Sequence, residues 1–235
     1  MDQDVLVSAI ANQLDGLSAL ISTTVGLALI AAWTGLQGEE KVSVFSLSVK
    51  REHAFYILGA SFITANTTAI IYFLRLADII GEIDDAHLLE ALTTLGTNAW
   101  PYNPFAYFGD STFSLLHSSF GFGLLIVIWW IGFTALSLLV NYPTRVAAER
   151  VLMSVFLLVG LASMVAIQIV YSEVWIRLSE TGASFPINLK TNWLVRSAFT
   201  FAGIGAGGLL FWLAQRLRPK RTQPAREGKR PPKRR

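Results

Sequence analysis

The chain has 235 residues, 53% apolar and 15% charged, well below the roughly 25% charged residues of soluble domains. It holds no cysteine, which excludes disulfides, thiol catalysis and cysteine-based metal sites. The net charge of +3 conceals a split: ten of the nineteen basic residues follow Leu213, and the chain before them is acidic.

Low charge combined with long apolar runs points to an integral membrane protein. The expected fold class is an all-α integral membrane protein: a five-span transmembrane helix bundle with a short amphipathic helix in its outer loop and a disordered basic tail. Residues 1–214 form the polytopic membrane domain and residues 215–235 the tail.

Met1-Asp2-Gln3-Asp4 has no basic n-region, so no cleaved signal peptide is expected. Val5, Leu6, Ala9, Ile10 and Leu14 fall at helical spacing and predict either a short amphipathic helix leading into a first span at 17–36 or the start of that span itself. That span is long enough to cross a hydrocarbon core of about 30 Å. Gln37 to His53 is a polar linker. Its residues 41–50 alternate apolar and polar, which predicts a short strand or hairpin, with Ser48 placed to cap the next helix. The second span, 54–76, has a polar middle (Ser61, Thr64, Asn66, Thr67, Thr68). Arg75 snorkels from its outer end, and Gly81 is the expected helix stop.

The loop 77–118 carries Asp78, Glu82, Asp84, Asp85, Glu90 and Asp110 and no Lys or Arg. Asp84 suits an N-cap for a short helix closed by Gly96, with Leu88, Leu89, Leu92 and Leu95 on one face. Two prolines then forbid a regular helix. Trp100, Tyr102, Phe105 and Tyr107 have the amphipathic rings that favour a membrane interface, and form the expected outer-loop contact surface.

Asp110 or Ser111 is placed to cap a third helix whose span, 119–140, stops ahead of Pro143. Trp129 and Trp130 fall near its middle, where their indole N–H groups need partners. The fourth span, 151–170, continues toward Arg177 with Gln168 and Glu173 at its far end. The fifth, 193–214, carries Gly203 and Gly207 four residues apart, a spacing that lets another helix approach closely.

Basic residues fix the expected orientation. Lys41, Lys50, Arg51, Arg145, Arg150 and the tail fall on one side, while Arg75, Arg177, Lys190 and Arg196 fall on the other. Positive-inside logic places the N-terminus outside and the C-terminus in the cytoplasm, with a prokaryotic cytoplasmic membrane as the expected location.

Chemistry is sparse. No carboxylate or histidine falls near mid-span, as proton-coupled transport requires. Ser61 and Ser184 lack the second glycine of a nucleophile elbow. His87 and His117, with Asp84, Asp85 and Asp110, lack a metal-ligand spacing. No catalytic residue, metal or cofactor is expected. The implied function is non-enzymatic: an accessory, scaffold or assembly protein. The alternative is a small-solute channel or transporter whose polar path uses Asn66, Thr67, Thr68, Arg75, Glu173 and Arg196; otherwise these residues serve interhelical hydrogen bonds. Expected partners are the lipid bilayer, other membrane proteins or a second copy, and anionic lipid headgroups at the tail. No nucleic acid is expected, because no aromatic residue follows Trp212 to stack on bases.

Overall fold

Apolar residues four, four and three positions apart keep the first helix unbroken. The computed structural model describes residues 2–37, 41–44, 47–88, 91, 112–140, 144, 146–180 and 189–217. Within it α1 (Gln3–Gln37) buries Leu6, Ile10, Leu14 and Leu17 along one stripe. Of the two readings of the segment from Val5 to Leu14, the start of the first long helix is the one observed. Gly16 does not interrupt it, because the ring of Tyr72 fills the space where a side chain would stand, 2.1 Å from an ideal Cβ. At 1.5 Å per residue, 35 residues reach about 50 Å, well beyond a hydrocarbon core of about 30 Å.

The alternating linker forms an antiparallel hairpin, β1 (Lys41–Val44) and β2 (Leu47–Lys50), in the register Lys41 to Lys50 and Val44 to Leu47. Among the described residues the fold is thus helical with one two-stranded exception. Ser48 does not cap the next helix: it lies in β2 opposite Ser43. Lys50 is the extended N-cap residue of α2 (Arg51–Glu82) and makes no side-chain cap bond. The helix also continues one residue past Gly81, and the N–H of Ile83 closes it on the Ile79 carbonyl at 3.1 Å. After the loop come α3 (Thr112–Val140), α4 (Ala147–Glu180) and α5 (Leu189–Leu217). All five helices are long and apolar enough to cross a membrane.

Residues 85–88 and 91 are helical, as the Asp84 cap predicts. The rest of the expected outer-loop helix, including Gly96, lies outside the described residues. So do Trp100, Tyr102, Phe105, Tyr107, Asp110, Ser111 and the tail beyond Leu217.

The helices alternate in direction. α1 packs between α2 and α3, α4 lies along α2, and α5 lies along α3. Gly59 of α2 meets Leu152 of α4, and Gly81 meets Glu173, so α2 and α4 run parallel. Gly35 of α1 meets Leu138 of α3, and Gly123 and Gln215 join α3 to α5 in the same sense. One end of the bundle therefore gathers the start of α1, the close of α2 and the close of α4. The other gathers the hairpin, the starts of α2 and α4 and the closes of α1, α3 and α5. These are called the Gln3 end and the Arg51 end.

The α3–α5 seam follows from sequence spacing. Phe199, Gly203, Gly207, Phe211 and Gln215 recur every four residues on α5. They meet Gly123, Ile126, Trp130, Phe133 and Ser137, which recur every three or four on α3. A Cβ on Gly203 would stand 2.8 Å from the Gly123 carbonyl oxygen, and one on Gly207 would stand 2.3 Å from Trp130 Cγ. Burial is uneven: 61% of the apolar stretch of α3 is buried but only 11% of that of α5.

Aromatic rings fill the space between α3 and its neighbours. Trp129 stacks on Phe156 of α4 at 5.6 Å and on Phe133 at 6.3 Å, and Phe62 of α2 meets Phe156 edge-on at 5.7 Å. The edge of the Trp129 indole sits in the notch at Gly160, where an added Cβ would lie 1.8 Å from Nε1. The partner expected for that indole N–H is missing: Nε1 is buried without a hydrogen bond. Its neighbours are aromatic faces and a bare glycine, so no polar group reaches it.

Candidate functional site

The polar chemistry sits at the two ends of the bundle, where helices expose unbonded backbone groups. At the Arg51 end, Arg51 is only 5% exposed. Its Nε donates to the Leu139 carbonyl at 3.1 Å, and one terminal nitrogen donates to Gly35 at 2.9 Å and to Leu138. The first residue of α2 thus caps the last turns of α1 and α3. Three carbonyls that lack an intrahelical donor gain a cation, and the charge sits at the negative ends of two helix dipoles. The planar guanidinium fork suits this task, because a single ammonium point charge cannot span two helices in the same way.

The same end holds two further polar groups. Thr144 donates to the carboxylate of Glu149, itself buried in the first turn of α4, and accepts the N–H of Val146 at 3.1 Å. On the α3–α5 seam Gln215 donates to Ser137 Oγ at 3.0 Å, and Ser137 donates to the Thr134 carbonyl at 2.6 Å. Thr134 Oγ1 is buried without a partner.

At the Gln3 end, Arg177 in the last turn of α4 plays the part that Arg51 plays opposite. It donates to the carbonyls of Gly81 at 3.0 Å and Ile83 at 2.5 Å, closing α2. Its Nε is buried without a partner. Asp84 follows, and its Oδ1 accepts the N–H of His87 at 2.9 Å as the N-cap of the loop helix. The His87 N–H first, and then its ring, hold the Asp84 carboxyl below the ordinary aspartate value. The N–H of Asp84 donates to Gln3 Oε1 at 2.9 Å, which ties α1 to this turn.

The residues expected to line a polar path are spread out. Asn66 donates to the Phe62 carbonyl of its own helix at 2.8 Å, and Thr68 back-bonds to Thr64 at 2.9 Å. Thr67 and Arg75 are exposed on α2. Glu173 lies beside Gly81, 3.6 Å from the position of a Cβ there. No ion pair joins Glu173 to Arg75 among the described residues. Arg196 is in α5, with its side chain outside the described residues. Among the described residues, no group of three His, Asp or Glu converges as a metal site would require.

Comparison of the chain with protein-family models, curated proteins and solved structures finds no match. Function therefore rests on geometry alone.

From the sequence alone, Arg51 and Arg177 are legible only as topological charges. A signal for Arg51 was present. A Lys-Arg pair at a helix start opposes that helix's own dipole, and such a local conflict asks for a partner elsewhere.

Proposed function

We propose that this chain is a non-enzymatic accessory or scaffold protein of a membrane, with five spans, its N-terminus outside and its C-terminus in the cytoplasm. Its partner is a transmembrane helix, from another protein or a second copy, that lies against α5. The observation that carries this reading is the division of small residues on α5. Gly203 and Gly207 are used inside, against α3. Ala198, Ala202, Gly205 and Ala206 are exposed, and nothing stands within 4 Å of a Cβ built on Gly205 or Gly208. In hydrocarbon, a groove of small residues permits close helix approach and van der Waals contact. Exposed Phe201, Leu209 and Trp212 flank it as anchors of larger area. The scatter of Asn66, Arg75 and Glu173 makes a solute path the weaker reading.

The test is photo-crosslinking in the native membrane from a benzophenone residue at Phe201 or Leu209. The reading expects one discrete protein adduct from both positions, lost when Gly205 is changed to Leu and absent from a probe at Phe62. Adducts with lipid alone would sink it.

A further inference from the structure

The turn that follows α2 is fastened from three sides. Arg177 of α4 holds the Gly81 and Ile83 carbonyls, and Gln3 of α1 accepts the Asp84 N–H. The third link is titratable. His87 Nδ1 lies 2.8 Å from Asp84 Oδ1, and Nε2 lies 3.9 Å from Asp4 Oδ1 in the first turn of α1. One imidazole thus stands between two carboxylates, one on its own turn and one on a different helix.

A neutral imidazole has one N–H and one lone pair. With the proton on Nδ1 it serves Asp84, and its lone pair then faces the Asp4 carboxylate. A second proton turns that face into a cationic donor. The bond to Asp84 persists in both states, whereas the attraction to Asp4 needs the charged ring. We propose that His87 is a pH-operated latch, fastening the first turn of α1 to the turn after α2 when its ring is protonated.

The surrounding charges favour that assignment. Asp4 faces the ring from α1, with Asp2 just before it, where its Oδ1 accepts the Asp4 N–H at 3.3 Å. Asp84 faces it from its own turn. From α4, the charge of Arg177 is engaged by the Gly81 and Ile83 carbonyls, and the Glu173 carboxylate lies beside Gly81. Glu90, the next acidic residue in sequence, lies outside the described residues. Asp84 is held ionised by its bonds from His87, and imidazole is the side-chain type whose ordinary charge change falls between about pH 5 and 8. The latch is closed at the acid side of that range and opens as pH rises. The Asp4 side chain is 89% exposed, which keeps the change modest and lets Asp4 be altered without disturbing the core.

The test is hydrogen exchange of the α1 amides of Leu6, Val7 and Ser8 in the full chain in lipid nanodiscs, corrected for intrinsic rates, between about pH 5 and 8. Protection is expected to be about two- to fivefold greater at the acid side, as for an exposed ion pair. Asp4→Asn, and separately His87→Gln, should each flatten that dependence, while amides in the core of α2 stay equally protected throughout. Equal protection of the first turn across the range in the parent chain would overturn the latch. So would a pH dependence that survives in both variants.

Discussion

Arg51 and Leu139, 88 positions apart in sequence, meet in a hydrogen bond of 3.1 Å from guanidinium to carbonyl. The bond joins the first turn of α2 to the last turn of α3, and the same side chain reaches Gly35 at the close of α1. Hydrogen bonds to charged groups contribute about 1.5–3 kcal/mol each, and buried carbonyls left unpaired are costly. Arg51→Leu is therefore expected to destabilise the bundle by about 3 kcal/mol or more. Arg51→Lys should recover only part of that, because an ammonium lacks the fork. Thermal unfolding in mild detergent, with both variants beside the parent, checks the order. Equal stability of Arg51→Leu and the parent contradicts it.

Gly160 provides a second test. The indole beneath it packs against the rings of both Phe133 and Phe156, which resist its displacement. Gly160→Ala should cost about 1–3 kcal/mol by overpacking. Gly205→Ala, where nothing stands within 4 Å, should leave the isolated chain unchanged or slightly more stable through its better helix propensity. Similar melting temperatures for the two variants would show that the notch is not tight.

The α3–α5 seam should be more sensitive still. Gly203 faces the Gly123 carbonyl, and backbone cannot rotate aside as a side chain can. Gly203→Leu and Gly207→Leu are expected to separate α5 from α3. Limited proteolysis of the chain in detergent, followed at the α4–α5 connection, reports this as faster cleavage. An unchanged digestion pattern refutes it.

Acid should release the loop cap. The Asp84 carboxyl is held below its ordinary value, so its contribution is present above the unfolded-state value of about 3.9 and is lost as pH falls through the lower folded value. Below about pH 4 the amides of His87 and Leu88 should lose protection from exchange. Asp84→Asn, which retains a cap oxygen, should weaken that dependence. Protection independent of pH in the parent chain would contradict the assignment.

The five long helices were legible because apolar content and length decide them: each expected run from Leu17, Ala54, Ser119, Val151 and Trp193 lies inside an observed helix long and apolar enough to cross a membrane. The hairpin was legible from the alternation between Lys41 and Lys50. The start of α1 was legible only as one of two readings, because the helical spacing from Val5 to Leu14 suits a separate helix and a continuous one alike. Ser48 is a suitable cap residue in isolation, yet pairing with Ser43 claims its backbone first. Asn66 suggested a partner on another helix, but the carbonyl of its own Phe62 is within reach at 2.8 Å. Arg51 and Arg177 act on carbonyls 16 to 96 residues away, and no local pattern reports contacts at that range.

The proposed topology puts the two polar ends on opposite sides of a membrane. The chain has no cysteine, so single cysteines placed at Asp85, Ser48 and Gln215 can be read without background by a membrane-impermeant maleimide on intact cells. Labelling is expected at Asp85 from outside, and at Ser48 and Gln215 only after the membrane is opened. Labelling of Ser48 or Gln215 on intact cells, at the level seen for Asp85, would contradict it.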